Sequence, residues 1–230
     1  MNAKNMVSAV QGEGSSSANV NYFCITDICS ASSGLIKFIN SEGAQYFSRA
    51  LYFKYGVLKI IEDNLGQPLK EEAVLGFLSA VRRYAAECAA MKYLNRAEHS
   101  RFQLETKLKK KGFSVEEYSV VFDYLMDKGF LNDGRYARSW LNTRRLTKKE
   151  GRHRLASELA ARGIEFKTVK IVLDDFFLEN SEEEICKKAL AKQLKKGISG
   201  QKLFYSLQRM GFSVHLIKMC LEDKNKEFTL

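Results

Sequence analysis

Three segments of this chain share one spacing of leucine, glycine and a following apolar residue, and this repetition restricts the fold more than any other feature. The pattern Leu-x-x-x-Leu-x-x-x-Gly-apolar occurs at 104–113, 155–164 and 203–212. Leucines four residues apart lie on one face of a helix, and a glycine placed after them supplies a left-handed C-cap. Each copy therefore predicts a short helix, a tight turn and a second helix that folds back onto the first.

A further helix precedes each copy, so the region from 69 to 223 predicts three tandem three-helix repeats. One repeat buries too little apolar surface to be stable alone, whereas stacked neighbours share a core. We expect a mainly α protein whose repeats form an elongated, curved array. The predicted repeats are 69–131, 132–180 and 181–230, and the predicted helices are 69–96, 101–111, 115–128, 134–148, 152–162, 167–178, 182–196, 200–210 and 214–223.

Residues that favour helix ends stand at the predicted boundaries. Serine followed three residues later by Glu or Gln forms a capping box, in which each side chain bonds the other's backbone amide. Such boxes occur at Ser100-x-x-Gln103, Ser114-x-x-Glu117 and Ser181-x-x-Glu184, and Asp133 and Ser199 are further N-cap candidates. The glycines expected to end helices in the left-handed conformation are Gly112, Gly129, Gly163, Gly197 and Gly211.

The first 68 residues have a different character. Residues 1–20 are rich in Gly, Ser, Asn and Ala, which predicts a disordered tail. Residues 21–68 contain short aromatic and β-branched runs, which predict a small β-containing extension, with a β-hairpin as one option. Its candidate strands are Tyr22–Cys29, Leu35–Ile39 and Ala44–Phe53, with a turn at 40–43 and, alternatively, a helix beginning within 51–61.

The basic charge is concentrated in the helical region. The chain has a net charge of +10, and residues 1–88 are neutral overall, so the whole excess lies in 89–230. Clustered cations favour polyanionic partners such as nucleic acid or an acidic protein surface. We therefore predict a nucleic-acid- or partner-binding surface built from two basic blocks, Arg135, Arg138, Arg144, Arg145, Lys148, Lys149, Arg152 and Arg154, then Lys187, Lys188, Lys192, Lys195, Lys196, Lys202 and Arg209.

Two aromatic residues in the first block allow alternative interpretations. Tyr136 and Trp140 alternate with Arg135 and Arg138 at helical spacing, so they could form a stacking surface for a base or a partner. Alternatively they form the buried stripe of their helix, because aromatic residues four apart commonly anchor a core. We favour the buried interpretation.

The residue types present give little support to an enzyme or a membrane protein. The five cysteines form no C-x-x-C pair, and the three histidines are far apart without a second ligand at metal spacing. The segment 197–202 lacks the spacing of a phosphate-binding loop. No run of apolar residues is long enough to span a membrane. We expect a non-enzymatic, monomeric cytoplasmic protein without cofactor or metal.

The order and spacing of several motifs resemble the RecX family, the bacterial regulators of the RecA recombinase. The resemblance covers roughly 89–221. It departs at His99-Ser100, where members often have Arg-Ser, and at 148–151, where a second glycine is usual. The residues that carry it are Tyr93-Leu94, Arg96, Ser100, Gln103-Leu104, Leu108, Gly112-Phe113, Asp133, Arg135-Tyr136-Ala137, Trp140, Arg144, Gly151, Arg154-Leu155, Glu158-Leu159, Arg162-Gly163-Ile164, Leu207, Arg209, Gly211-Phe212 and Ile217.

This resemblance implies a function in DNA repair and homologous recombination. Proteins of this family bind the RecA filament on single-stranded DNA and lower its ATP hydrolysis and strand exchange, and several bind DNA directly. The implied partners are therefore the RecA filament and single-stranded DNA, with duplex DNA as a further option. An alternative is a stand-alone DNA-binding protein in which one repeat acts as a helix-turn-helix reader. Binding to an anionic membrane surface is a weaker third option.

Overall fold

The computed structural model describes residues 23–31 and 34–227, with side chains through Asp223. The chain divides into two compact units, and the division falls between Leu78 and Ser79, inside one long helix. The tail predicted at 1–20 lies outside the described residues, as does Tyr22. The predicted bounds of the three repeats stay predictions.

The N-terminal unit contains a three-stranded antiparallel sheet in the order β1-β2-β3. The predicted third strand ends early, at Arg49, because the chain then enters a 3₁₀ turn that buries Tyr52 completely. Phe38 on the central strand is also fully buried and packs edge-on against Phe77. The elements of this unit are β1 (Ile25–Ser30), β2 (Leu35–Asn40), β3 (Gln45–Arg49), the 3₁₀ turn Ala50–Tyr52 and α1 (Val57–Asp63).

Helices make up the rest of the described chain, and each predicted helix start lies within two residues of an observed one. Three helices follow one another in each repeat: α2, α3 and α4, then α5, α6 and α7, then α8, α9 and α10. The helices are α2 (Glu71–Leu94), α3 (Arg101–Lys110), α4 (Val115–Asp127), α5 (Asp133–Thr147), α6 (Arg152–Ala160), α7 (Phe166–Glu179), α8 (Glu182–Leu194), α9 (Gly200–Arg209) and α10 (Val214–Glu227).

The glycine caps take the conformation that the sequence predicts. All five have positive φ, between 70° and 94°. Ser100 forms the complete capping box with Gln103, and the Ser181 hydroxyl accepts a hydrogen bond from the Glu184 amide at 3.3 Å. These local signals fix the ends of the helices because each involves backbone groups that the helix itself leaves unpaired.

One predicted cap is wrong. Asp133 is the first residue of α5, and the N-cap is Asn132, whose side-chain oxygen accepts a hydrogen bond from the Arg135 amide at 2.9 Å. The Asp133 carboxylate turns instead to the preceding repeat and accepts a hydrogen bond from the Arg101 amide, at the start of α3, at 2.8 Å. The aspartate therefore caps a helix of the neighbouring repeat, while its own helix is capped by the residue before it.

The same arrangement joins the third repeat to the second. The Glu182 carboxylate, on the first residue of α8, accepts a hydrogen bond from the Arg152 amide at the start of α6, at 2.7 Å. The residue before each glycine turn also contributes. The Arg162 carbonyl accepts a hydrogen bond from the Ser100 hydroxyl at 2.8 Å, and the Met210 carbonyl accepts one from the Gly151 amide at 2.9 Å. Both junctions thus use equivalent backbone positions.

The glycine turns touch the preceding repeat so closely that a side chain has no room. A Cβ atom on Gly163 would overlap the Phe102 side chain, and one on Gly211 would overlap the backbone of Arg154. A Cβ atom on Gly151 would lie 2.5 Å from the Gly211 carbonyl oxygen. These glycines are required by the contact between repeats as well as by local backbone conformation.

Each of the second and third repeats has its own apolar core. Tyr136 is buried in the core of the second repeat, and the half-buried Trp140 packs against that core, so the buried interpretation is confirmed for Tyr136 and holds in part for Trp140. The Tyr136 hydroxyl also accepts a hydrogen bond from the Gln103 side chain at 2.9 Å. Cys186 and Cys220 lie in the core of the third repeat, and burial raises the pKa of both thiols, which favours the unreactive protonated form.

The contact of Gly163 with the preceding repeat predicts that two glycines of the same backbone conformation differ in how much a substitution destabilises the protein. Gly163→Val and Gly112→Val should both reduce stability, by about 1–2 kcal/mol from the left-handed conformation alone. Gly163→Val should reduce it clearly more, because the new side chain meets Phe102, whereas the space around Gly112 is open. Urea unfolding followed by circular dichroism measures the difference. Equal destabilisation at the two positions would contradict the junction contact.

Candidate nucleic-acid and partner interface

Most arginines of the first basic block are already engaged by acceptors within the protein. Arg135 donates to the Glu98 carboxylate at 2.5 Å and to the carbonyls of Gly129 and Phe130 at 2.8 and 2.9 Å. Its guanidinium therefore closes the connection between α4 and α5 by using three separate acceptors. A phosphate group would have to compete with all three.

Arg144 is more enclosed than the other arginines of the first basic block. Its guanidinium donates twice to Glu150, at 2.6 and 3.0 Å, and lies over the Trp140 ring at 5.3 Å from the centroid. The hydrogen bond with Glu150 raises the pKa of Arg144, and only 25% of its side chain is exposed. This geometry fixes the loop between α5 and α6.

Carboxylates within the second repeat pair with three further arginines of helices α5 and α6. Arg138 lies 3.1 Å from Asp175, Arg152 lies 2.6 Å from Asp174, and Arg154 lies 2.8 Å from Glu158. The first two pairs are largely exposed, so each contributes little to stability and could exchange for a ligand. Glu158 is less exposed and also pairs with Arg162 at 2.7 Å, so Arg154 shares its carboxylate with a second arginine.

Three cations at the end of α5 keep their charge without a carboxylate partner. Arg145 donates to the neutral side chain of Asn180 at 2.9 Å, and Lys149 approaches the Arg145 carbonyl at 3.4 Å. The Lys148 side chain is exposed and has no hydrogen bond or ion pair among the described residues. Among the described residues, the cations of the first block without any carboxylate partner are therefore Arg145, Lys148 and Lys149.

The second basic block is paired at its start and unpaired afterwards. Lys187 contacts Glu183 at 2.6 Å and Asp223 at 3.1 Å, and Lys188 contacts Glu184 at 3.6 Å. Within the part of the chain that the structure describes, the other five cations have no carboxylate partner and are at least partly exposed. We call these five the repeat 3 basic face: Lys192, Lys195, Lys196, Lys202 and Arg209.

Helix α9 brings an aromatic ring to this face. Lys202, Tyr205 and Arg209 are spaced three and four residues apart, so they lie on one side of the helix, away from the buried Leu203 and Leu207. They line one shallow surface depression, and Tyr205 is 51% exposed. Tyr205 is not among the site residues predicted from the sequence, although its spacing from both cations marks it. An exposed ring between cations can stack on a base while they bind phosphates.

Two other kinds of site are not seen in 23–31 and 34–227. No group of three or more His, Cys, Asp or Glu side chains there is arranged to hold a metal ion. No helix within these ranges combines the length and the apolar character needed to cross a membrane.

The different roles of two neighbouring arginines can be tested by stability. We expect Arg144→Gln to cost about 1–3 kcal/mol, because it leaves the largely buried Glu150 carboxylate without its partner. The matched control Arg145→Gln removes a bond to a neutral amide at an exposed position, so it should change stability by less than about 0.5 kcal/mol. Thermal and urea unfolding give both values. Equal effects would mean that the Glu150 pair does not support the loop.

Comparisons with known proteins identify two of the three-helix repeats. Two family models match the chain, described as the first three-helix domain of RecX, at residues 89–125, and the second three-helix domain of RecX, at 132–173. A protein named regulatory protein RecX, from Treponema pallidum (strain Nichols), is 38% identical over 142 residues, which cover 62% of this chain and 87% of that protein. One of the same name from Bacillus subtilis (strain 168) is 32% identical, over 58% of this chain and 53% of that protein.

Solved structures support the same fold. A crystal structure of regulatory protein RecX matches with a TM-score of 0.67 at 20% identity and covers 87% of this chain and 99% of that one. The RecX structure from Lactobacillus salivarius matches with a TM-score of 0.55 at 22% identity, over 62% of this chain and 96% of that one. At these identities the structures establish the fold, and the Treponema relative establishes the family. The chain therefore belongs to the RecX family.

Proposed function

We propose that this protein binds the RecA recombinase filament on single-stranded DNA and modulates it, mostly by lowering its ATP hydrolysis and strand exchange. The observation that carries this proposal is family membership across the helical region, at 38% identity to a regulatory protein RecX. In this proposal the protein acts as a cytoplasmic monomer, without catalysis and without a cofactor.

The distribution of free charge supports contact with DNA through the third repeat. The repeat 3 basic face offers five cations without carboxylate partners among the described residues, and Tyr205 lies beside two of them. Binding of this kind neutralises phosphates and releases counterions, so its strength falls as salt rises. Apart from Arg145, the arginines of the first basic block are less available, because carboxylates already pair with them.

The alternative of a stand-alone helix-turn-helix reader rests on the same helix. Helix α9 presents Lys202, Tyr205 and Arg209 on one exposed side, as a recognition helix would. A reader of this kind gains orders of magnitude in affinity on one duplex sequence, whereas phosphate binding does not. Titration against a pool of duplexes distinguishes the two.

The proposed regulation predicts inhibition at low stoichiometry. ATP hydrolysis by the cognate RecA on single-stranded DNA should fall strongly when this protein is present at a small fraction of the RecA concentration, because one bound molecule affects many protomers of a filament. A coupled ATPase assay with increasing amounts of this protein measures the effect. Inhibition only after the added protein saturates the DNA would support simple competition and contradict the proposal.

The basic face predicts a change in the salt dependence of DNA binding. Replacing Lys192, Lys195, Lys196 and Lys202 together by Gln should weaken binding to labelled oligo-dT and reduce the slope of log K against log salt by about 0.7 for each phosphate that is no longer neutralised. Fluorescence anisotropy at several salt concentrations gives the slope. Lys167→Gln with Lys170→Gln, two exposed positions on α7, is the matched control and should leave the slope unchanged. An unchanged slope in the fourfold variant would remove this face from the DNA-binding surface.

A further inference from the structure

A cleft lies where the second repeat meets the third, and its chemistry differs from that of the repeat 3 basic face. It has a volume of about 260 Å³. Its apolar lining comes from α5, α6, α7 and α8, so the stacking of the two repeats creates it. The apolar residues that line it are Leu141, Leu146, Leu155, Phe176 and Ile185.

Positive charge surrounds the apolar lining. Arg145, Lys148, Lys149 and Lys188 line the cleft, and of these only Lys188 contacts a carboxylate among the described residues, Glu184, at 3.6 Å between exposed side chains. The acid in the lining is Glu150, and two hydrogen bonds from Arg144 already satisfy it. The rim therefore has an excess of free cations and no free carboxylate among its lining residues.

Leu146 is unusual for this position. It lines the cleft with 76% of its surface exposed, although most of its neighbours in the sequence are basic. A polar residue would be better solvated than leucine at such a position. A ligand that covers this leucine removes apolar surface from water, which stabilises the complex. The combination of an apolar floor and a cationic rim matches a ligand that has one apolar group between negative charges.

We propose that this cleft binds an acidic peptide segment of a partner protein, which inserts one bulky apolar side chain between the exposed Leu146 and the half-buried Ile185, above the buried Leu141. The carboxylates on either side of that residue then meet Arg145, Lys148 and Lys188. A volume of about 260 Å³ lies below the roughly 300–1,000 Å³ of typical small-molecule sites and suits a single large side chain.

The lining favours a peptide over single-stranded nucleic acid. Bases stack on exposed aromatic rings, and the ring in this lining, Phe176, is buried with its edge against Phe177. Aliphatic side chains form the rest of the floor and offer no flat surface to a base. The exposed Tyr205 lies outside the cleft lining.

A synthetic probe tests this site on the full-length protein. The probe is a fluorescein-labelled peptide of Asp and Glu residues around a central Leu-Phe pair, and its control has Ser-Ser at the centre. We expect saturable binding of the first peptide in fluorescence anisotropy, with the second about tenfold weaker. Leu146→Asp should weaken binding of the first peptide by about tenfold or more, and Lys148→Glu should weaken it most at low salt.

Matched substitutions outside the cleft complete the test. Leu178→Asp and Lys170→Glu lie at exposed positions on α7 outside the cleft lining and should leave peptide binding unchanged. Leu146 is exposed, so its variant should keep the circular dichroism and unfolding curve of the parent. Absence of binding, equal binding of the two peptides, or binding unaffected by Leu146→Asp would overturn the proposal.

Two further outcomes separate this site from the proposed regulation of the filament. Loss of oligo-dT binding in Leu146→Asp without any peptide binding would overturn the peptide proposal and assign the cleft to nucleic acid. Peptide binding needs no recombinase, so its failure leaves the proposed regulation of RecA untouched.

Discussion

Close backbone contact between successive repeats is the constraint on which the helical region depends. The turn that ends the second helix of one repeat, α6 or α9, packs against the beginning of the equivalent helix in the repeat before it, α3 or α6. Gly163 and Gly211 occupy this turn, and their contact partners leave no space for a Cβ atom. An acid at the start of the same repeat, Asp133 or Glu182, caps the neighbouring helix. The junction thus combines shape and hydrogen bonding, and neither repeat completes it alone.

The junction explains why one position differs between repeats. Ser100 and Gly151 are equivalent N-cap positions, and each donates a hydrogen bond to the carbonyl before the next glycine turn. The serine does so through its hydroxyl, whereas the glycine does so through its amide, with the Gly211 carbonyl where a side chain would stand. The first junction is therefore bridged by the Ser100 side chain, whereas at the second the two backbones approach each other directly.

The two basic blocks differ in composition and in use. The first is rich in arginine, whose planar guanidinium bonds several acceptors at once and stacks on aromatic rings, as Arg144 does with Glu150 and Trp140. The second is rich in lysine, which stays solvated at low cost. The arginines of the first block are therefore mostly engaged by carboxylates and carbonyls of the first and second repeats, and lysine leaves the third repeat with free charge. Among the described residues, the unpaired cations of the two blocks therefore lie in two places, on the basic face of the third repeat and around the cleft between the second and third repeats.

The sequence by itself determined the helices, their glycine caps and the threefold repetition, because these signals act within about four residues along the chain. It also indicated the family and the location of the positive charge. Only the tertiary structure decided which cations are free, since partners such as Glu98 and Arg135 are 37 residues apart. The sequence also predicts the wrong helix for the cap formed by Asp133, because the amide that Asp133 caps belongs to another repeat. The cleft forms only when α5 and α8 pack side by side. No local pattern in the sequence predicts how closely these two helices approach each other.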